Sequence, residues 1–320
     1  LIAISGYVLS LCQGRDPRAR QAEPEQTEMK LTRLLSAAAA GLLAWSLSTA
    51  AVSQSPEQPD LATTQDPGLQ GELNRIVDDN GWRPLFELGS FAVALVVLEE
   101  DGGYRLAMLN GHQMLYAASL PKVAILFAAM VASQEGDLEI DEALERDLHR
   151  MIRVSCNACA TRAMESVGRE RLLEILQRPE FAFYDENKWG GLWVGKDYGK
   201  RAAHHRDPLK GLSHGATAYQ VARLYYRLAM GTLLDPEHTA MMNDIMSRPG
   251  ISHKFVKALE KEKGMQMLRK SGSWKNFHAD SALVKSDAGS YILVGLVEGA
   301  RGEEQLQALA SAVHDLVESL

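Results

Sequence analysis

The sequence predicts an α/β (α+β) fold: an antiparallel sheet built from both chain ends and flanked by helices, with an all-helical lobe inserted between them. Three observations carry that expectation. Phe91 to Leu98 is almost continuously apolar, as in a strand buried on both faces. Strand-like runs return only near the end, at Met265–Arg269, Ser281–Val284 and Tyr291–Val297. Between these regions the apolar residues recur at helical spacing. The 320 residues are 46% apolar and 23% charged, an ordinary globular composition with room for a proper core. A net charge of −7 leaves no basic footprint for nucleic acid.

The fold is expected to begin late. Residues 1–28 read as an over-extended frame, with Leu1 as a non-ATG start codon and Met29 as the better start. Residues 29–53 have the layout of a secretory signal peptide. Met29-Lys30-Leu31-Thr32-Arg33 is basic, the run from Leu34 to Leu47 is apolar, and small residues Ala51-Val52-Ser53 precede Gln54. That run is too short and too Ala-rich for a good membrane span, and no Cys sits near the cleavage point. A periplasmic or secreted protein without a stable membrane anchor is therefore expected. Residues 54–70, rich in Pro, Gln, Asp and Thr, read as a linker. Residues 71–320 form one domain, with 71–118 and 265–320 as its α/β part and 119–264 as a mainly helical part.

Within that domain, Leu73, Ile76 and Val77 mark a first helix ending near Gly81. Glu99 to Gly103 is a turn joining Phe91–Leu98 to a second strand, Tyr104–Leu109. Val123, Leu126, Phe127, Met130 and Val131 form one helical stripe, with Ser119 at its N-cap end and Pro121 in its first turn. Helical patterns continue over 142–177 and 217–230. The stretch 179–213 is rich in Gly, aromatics and His and reads as a long functional loop. Turns at 273–276 and 287–289 separate the last strands, and Leu306, Leu309, Val313 and Val317 mark a closing amphipathic helix.

Three short motifs lie on these elements in order: Ser119-Leu120-Pro121-Lys122, Ser155-Cys156-Asn157 and Lys270-Ser271-Gly272. Each alone has a bland explanation, as a helix cap, a solvated lysine or a turn. Together they are the signature set of active-site-serine enzymes that open β-lactams. From about Gln70 to Leu320 the chain resembles the class A β-lactamase family, within the serine β-lactamase and penicillin-binding protein superfamily. Cys156 stands where that family carries Asp, and Ser271 where it carries Thr. The stretch between the nucleophile helix and Ser155 is also shorter than in typical class A enzymes.

A serine hydroxyl needs activation near neutral pH. Lys122 lies one turn from Ser119 on the same face, and its amine becomes a base if it is desolvated beside a second cation, Lys270. Ser155 would relay a proton to the departing nitrogen, and Asn157 would orient Lys122 and the substrate amide. Lys270 and Ser271 would bind a substrate carboxylate, and Gly272 would let substrate backbone approach. Backbone N–H groups of Ser119 and Ser273 would form the oxyanion hole. No cofactor or metal is called for.

The resemblance implies opening of a β-lactam amide through an acyl-Ser119 intermediate. The alternative is a D-Ala-D-Ala carboxypeptidase or transpeptidase on the same scaffold, with a sensor that stays acylated ranking last. The partner is a small molecule or cell-wall peptide carrying a carboxylate, and the protein is expected to be a monomer. One departure bears on turnover: the family's Glu-x-x-Leu-Asn loop motif, source of the deacylating glutamate, is absent. Glu186 and Asp197 are the leading substitutes, with His204 and His205 behind them. His204, His205 and His214 fit no standard zinc spacing. Trp189, Trp193 and Tyr198 either border the cleft or pack within their own loop. Cys156 and Cys159 are expected to be reduced and packed within one helix, since a bridge at that spacing would pin little; a local disulfide is the second reading.

Overall fold

The structure is a computed structural model that describes residues 60–287 and 289–320. The readings of 1–28, of the signal segment 29–53 and of residues 54–59 lie outside them. The linker is shorter than its composition suggests. Asp66 accepts a hydrogen bond from Leu69 N at 2.7 Å and Pro67 takes the first helical position, so helix α1 spans Pro67–Asp79. Residues 67–70 thus belong to the domain, and buried Leu69, Leu73 and Val77 form its inner face.

A short helix α2 (Arg83–Glu87) stacks Phe86 on Phe91 at 4.6 Å and leads into β1 (Phe91–Leu98) and β2 (Tyr104–Leu109). Next come β3 (Leu115–Tyr116), α3 (Lys122–Gln134), α4 (Glu142–Arg153), α5 (Asn157–Val167) and α6 (Arg169–Gln177). The long loop holds short strands β4 (Tyr184–Asp185), β5 (Gly190–Gly191), β6 (Trp193–Val194) and β7 (His214–Ala216). Helices α7 (Ala218–Ala229), α8 (Pro236–Met246) and α9 (Phe255–Ala258) complete the insert. The chain closes with β8 (Gln266–Trp274), β9 (Phe277–Ser286), β10 (Gly289–Glu298) and α10 (Gly302–Glu318).

The main sheet has the order β2-β1-β10-β9-β8 and is antiparallel throughout. Strand β1 pairs with β10 from Phe91↔Val297 to Leu98↔Ser290, so the two ends of the domain meet in the middle of the sheet. This is the predicted architecture. Continuous burial along β1 follows from cover on both faces. One face packs on α1 and α10 through Leu73, Leu95, Leu293, Leu306 and Val313, and the other on the insert through Ala94, Val294, Leu224 and Phe127. The insert is helical except for small ladders: β3-β7-β6 stitches the long loop to the strand before the nucleophile, and β4-β5 pairs two parts of the loop with each other. Strand β8 runs on through Trp274, past the turn expected at Ser273. Its inner end is locked by Arg269, which holds Asp280 at 2.7 Å with both side chains buried.

Candidate active site

Ser119 stands in a tight turn between β3 and α3. Leu120 N donates to Ala117 O at 3.0 Å and Lys122 N to Ser119 O at 3.3 Å. Helix α3 therefore starts at Lys122, and Ser119 is not its N-cap; the capping position is Pro121, without a side-chain bond. The Ser119 hydroxyl is left free of that duty and lines a cleft of about 580 Å³. Ala118, just before it, is held at φ 51°, a conformation unusual for a residue with a Cβ.

Lys122 is fully buried, and its Nζ donates to Ser155 O at 2.7 Å, Asn157 Oδ1 at 2.7 Å and Ser155 Oγ at 3.3 Å. Ser155 sits at φ 58°, and from that conformation both its carbonyl and its hydroxyl reach the amine. The ring of Tyr198 lies 4.4 Å from the same nitrogen. Burial pushes the Lys122 amine down to about 7, so a neutral, basic form is accessible near neutral pH. Lys270 approaches from β8, its Nζ donating to Ser155 Oγ at 3.1 Å and to Ser271 O at 2.7 Å. Burial first, then the Lys122 charge, pushes this second amine well below its ordinary value. Desolvation is the leading cause for both amines, and each disfavours the other's charge. The Ser155 hydroxyl bridges two amines and accepts from both, which leaves its own proton available for donation.

Three positions of the third motif are placed differently from expectation. Gly272 faces the nucleophile turn: a Cβ there would meet Ala117 O at 2.2 Å, Ser119 N at 2.7 Å and Leu120 N at 2.8 Å. Its bare Cα admits the protein's own turn, not a substrate backbone. Lys270 and Ser271 are buried and bonded internally, Ser271 Oγ to His253 Nε2 at 3.0 Å. Ser273 does line the cleft, and its hydroxyl accepts from Lys254 Nζ at 2.7 Å. Buried Lys254 also donates to Gly272 O at 2.6 Å and Ala279 O at 3.1 Å, and burial brings its amine down to about 8. Nothing in the motifs pointed to His253 or Lys254; their polar partners lie across β8 and are set by tertiary packing.

The two carboxylates suggested as bases lie in different places. Asp197 lines the cleft but is gripped by Arg169 through Nε at 2.7 Å and Nη2 at 3.0 Å, which holds its carboxyl below the usual range. Glu186 borders a different hollow, together with Glu170, Trp193 and His205. His214 lines the cleft, anchors the loop through Nε2 to Lys196 O at 2.9 Å, and is pushed down to about 4 by burial. From the aromatic cluster only Tyr198 borders the cleft. Trp193 packs on Tyr184 at 4.4 Å and Trp189 stacks on His112 at 3.7 Å. Tyr116, Trp274 and Phe277 supply the other aromatic walls.

Cys156 and Cys159 form a disulfide, which overturns the expectation of two reduced thiols. The reason is local. Cys156 is not inside helix α5 but caps it, with ψ 117°, and its Cα lies 5.3 Å from that of Cys159, within bridging range.

Among the described residues no helix is long and apolar enough to cross a membrane. The profile of the beta-lactamase enzyme family matches residues 85–319. A search of curated proteins returns no match. Among solved structures, PBP-A superimposes with a TM-score of 0.61 at 19% identity, covering 79% of this chain and 97% of its own. A mutant of PBP-A, solved as an acyl-enzyme complex with penicillin G, gives 0.60 at 20% identity over 79% and 98% of the two chains. The beta-lactamase from Sphaerobacter thermophilus DSM 20745 gives 0.60 at 15% identity over 78% and 98%. Identities this low speak for the fold, whereas the family match covers most of the domain just described. The chain belongs to the beta-lactamase enzyme family.

Proposed function

We propose that this chain is an exported active-site-serine hydrolase that opens β-lactam amides through an acyl-Ser119 intermediate and releases the acyl group slowly. The single observation that carries the reading is the Ser155 hydroxyl held between Lys122 and Lys270, at 3.3 and 3.1 Å, beside a cleft that Ser119 lines. Neutral Lys122 takes the Ser119 proton as the oxygen attacks the carbonyl carbon. The tetrahedral oxyanion is received by the backbone N–H groups of Ser119 and Ser273. Ser155 then passes a proton to the departing nitrogen and regains one from the lysine pair. Substrate carboxylate is drawn to the Ser273 end of the cleft, where buried Lys254, whose amine is brought down only to about 8, supplies positive charge behind the strand. Export rests on the layout of residues 29–53.

Slow release follows from Asp197. Tied to Arg169, this carboxylate is a poor base for the water that must cleave the acyl ester. The same observation favours a second reading, a D-Ala-D-Ala carboxypeptidase or transpeptidase, in which another amine or water enters once a peptide leaving group has gone. Labelling with a fluorescent penicillin tests the shared core of both. Wild-type protein is expected to label, and Ser119→Ala to lose labelling altogether; labelling that survives the substitution refutes the nucleophile.

A further inference from the structure

We propose that the Cys156–Cys159 disulfide is a positioning clip for the Lys122 amine, and that opening it with a thiol reductant slows acylation of Ser119. The inference rests on the reading of Ser119 as the acylated residue. Cys156 lies between the two residues that hold Lys122: Ser155 contributes a carbonyl and a hydroxyl, and Asn157 a side-chain oxygen. All three contacts depend on how the backbone turns through residues 155–157. Ser155 stands at φ 58°, which costs energy for a residue with a Cβ and persists only where the surroundings impose it. Hydrogen bonds hold the turn on one side, from Lys270 Nζ to Ser155 Oγ at 3.1 Å and from Cys156 N to Arg150 O at 3.2 Å. The disulfide adds a covalent tie to Cys159, which is fully buried on α5.

The geometry separates a clip from a simple helix cap. Cys159 N points at Cys156 Sγ at 3.1 Å, so the sulfur also occupies the capping position of α5. A serine at 156 keeps a capping acceptor and loses only the covalent tie. The exchange chemistry is also set up. Cys156 is partly exposed, Cys159 is not, and Arg162 Nη2 lies 3.6 Å from Cys159 Sγ. An external dithiol attacks Cys156 Sγ as its thiolate, and the S–S bond breaks with the electron pair leaving on Cys159 Sγ beside that guanidinium. The second thiol of the reagent then displaces Cys156 from the mixed disulfide. The reagent ends as its cyclic disulfide, and the protein gains two electrons and two protons as two thiols.

The test compares oxidised protein, protein reduced with dithiothreitol, and the variants Cys156→Ser and Cys159→Ala, each treated with benzylpenicillin. Three quantities are read: the rate of acylation, its pH profile, and the melting temperature. Intact mass before treatment reports whether the disulfide is open. The clip predicts acylation about tenfold or more slower in the reduced protein and in both variants, as expected when a catalytic group is loosened by a fraction of an ångström. It also predicts that the midpoint of the pH profile moves, because the groups that hold the Lys122 amine have shifted. A merely structural bridge lowers the melting temperature and leaves that midpoint in place, which overturns the proposal. Equal rates and equal pH profiles in all four proteins overturn it too, while leaving Ser119 acylation standing. Oxidised protein that is never acylated refutes the serine reading itself, and the clip falls with it.

Discussion

Replacing Gly272 by alanine probes the contact on which the site is built. The strand passes so close to the nucleophile turn that the added methyl would lie 2.2 Å from Ala117 O, 2.7 Å from Ser119 N and 2.8 Å from Leu120 N. All three are backbone atoms, so no side chain can swing away. Restoring an ordinary contact requires strand and turn to part by about 1 Å. Displacement of that size at reacting groups costs about 100-fold in rate. The methyl also covers Ser119 N, the proposed oxyanion donor, and loss of one such donor costs about 100- to 1,000-fold. Gly272→Ala is therefore expected to be acylated by benzylpenicillin about 100-fold or more slowly than wild type, with a stability loss of about 1–3 kcal/mol from overpacking. Gly199→Ala is the control: it lines the same cleft, but its Cβ meets nothing within 4 Å, and its rate should stay near wild type. Acylation is timed by fluorescent-penicillin labelling and stability by thermal melting. A Gly272→Ala protein acylated at the wild-type rate would refute the placement of Ser119 N–H against this strand.

Acylation should rise with pH through about 7, where Lys122 becomes neutral, and then level off; a rate independent of pH from 5 to about 9 contradicts a lysine base. Folding stability carries the same signature. Between about 7 and 10.5 the unfolded chain binds the proton that folded Lys122 has lost, so this site's contribution to stability rises with pH across that window. Denaturant melts of wild type and Lys122→Met should differ in that slope. Asp197→Asn should leave acyl-enzyme decay unchanged while costing about 1–2 kcal/mol, because Arg169 loses its buried partner but stays partly exposed and keeps Glu165 at 3.1 Å. A large slowing of decay would instead make Asp197 the deacylation base.

The parts of the molecule legible in the sequence are those in which local pattern and burial agree. The unbroken apolar run Phe91–Leu98 reads as a two-faced strand because it lies in mid-sheet, and the stripe on α3 reads as a helix because that helix is core. The start of α1 is hidden because Asp66 and Pro67, a helix cap and first position, have linker composition. Helix α8 has the same signal, an Asp235 cap followed by Pro236, and its apolar face is too sparse to stand out. In the site, Ser119, Lys122, Ser155, Asn157 and Lys270 are recognisable from order and spacing. The side on which Gly272 is crowded is not, since it depends on a turn some 150 residues away in sequence. The disulfide is only the second reading from sequence because periodicity places residues on a helix without saying where the helix starts; with Cys156 at the cap and not inside α5, the bridge becomes the favoured arrangement. His253 and Lys254 carry no motif, and their importance lies in bonding to Ser271 and Ser273, half-buried His253 to the one and buried Lys254 to the other.

Intact-mass spectrometry of the protein mixed with excess benzylpenicillin, followed over time and repeated with Ser119→Ala, tests the central claim most directly. Ring opening expels no fragment, so the account predicts a single adduct carrying the whole mass of the antibiotic. That adduct should be absent from the alanine variant and persist long after mixing, since the cleft's carboxylate is bound to Arg169. An unmodified protein beside intact benzylpenicillin would contradict acylation at Ser119, and an adduct that clears as the substrate is consumed would contradict slow release.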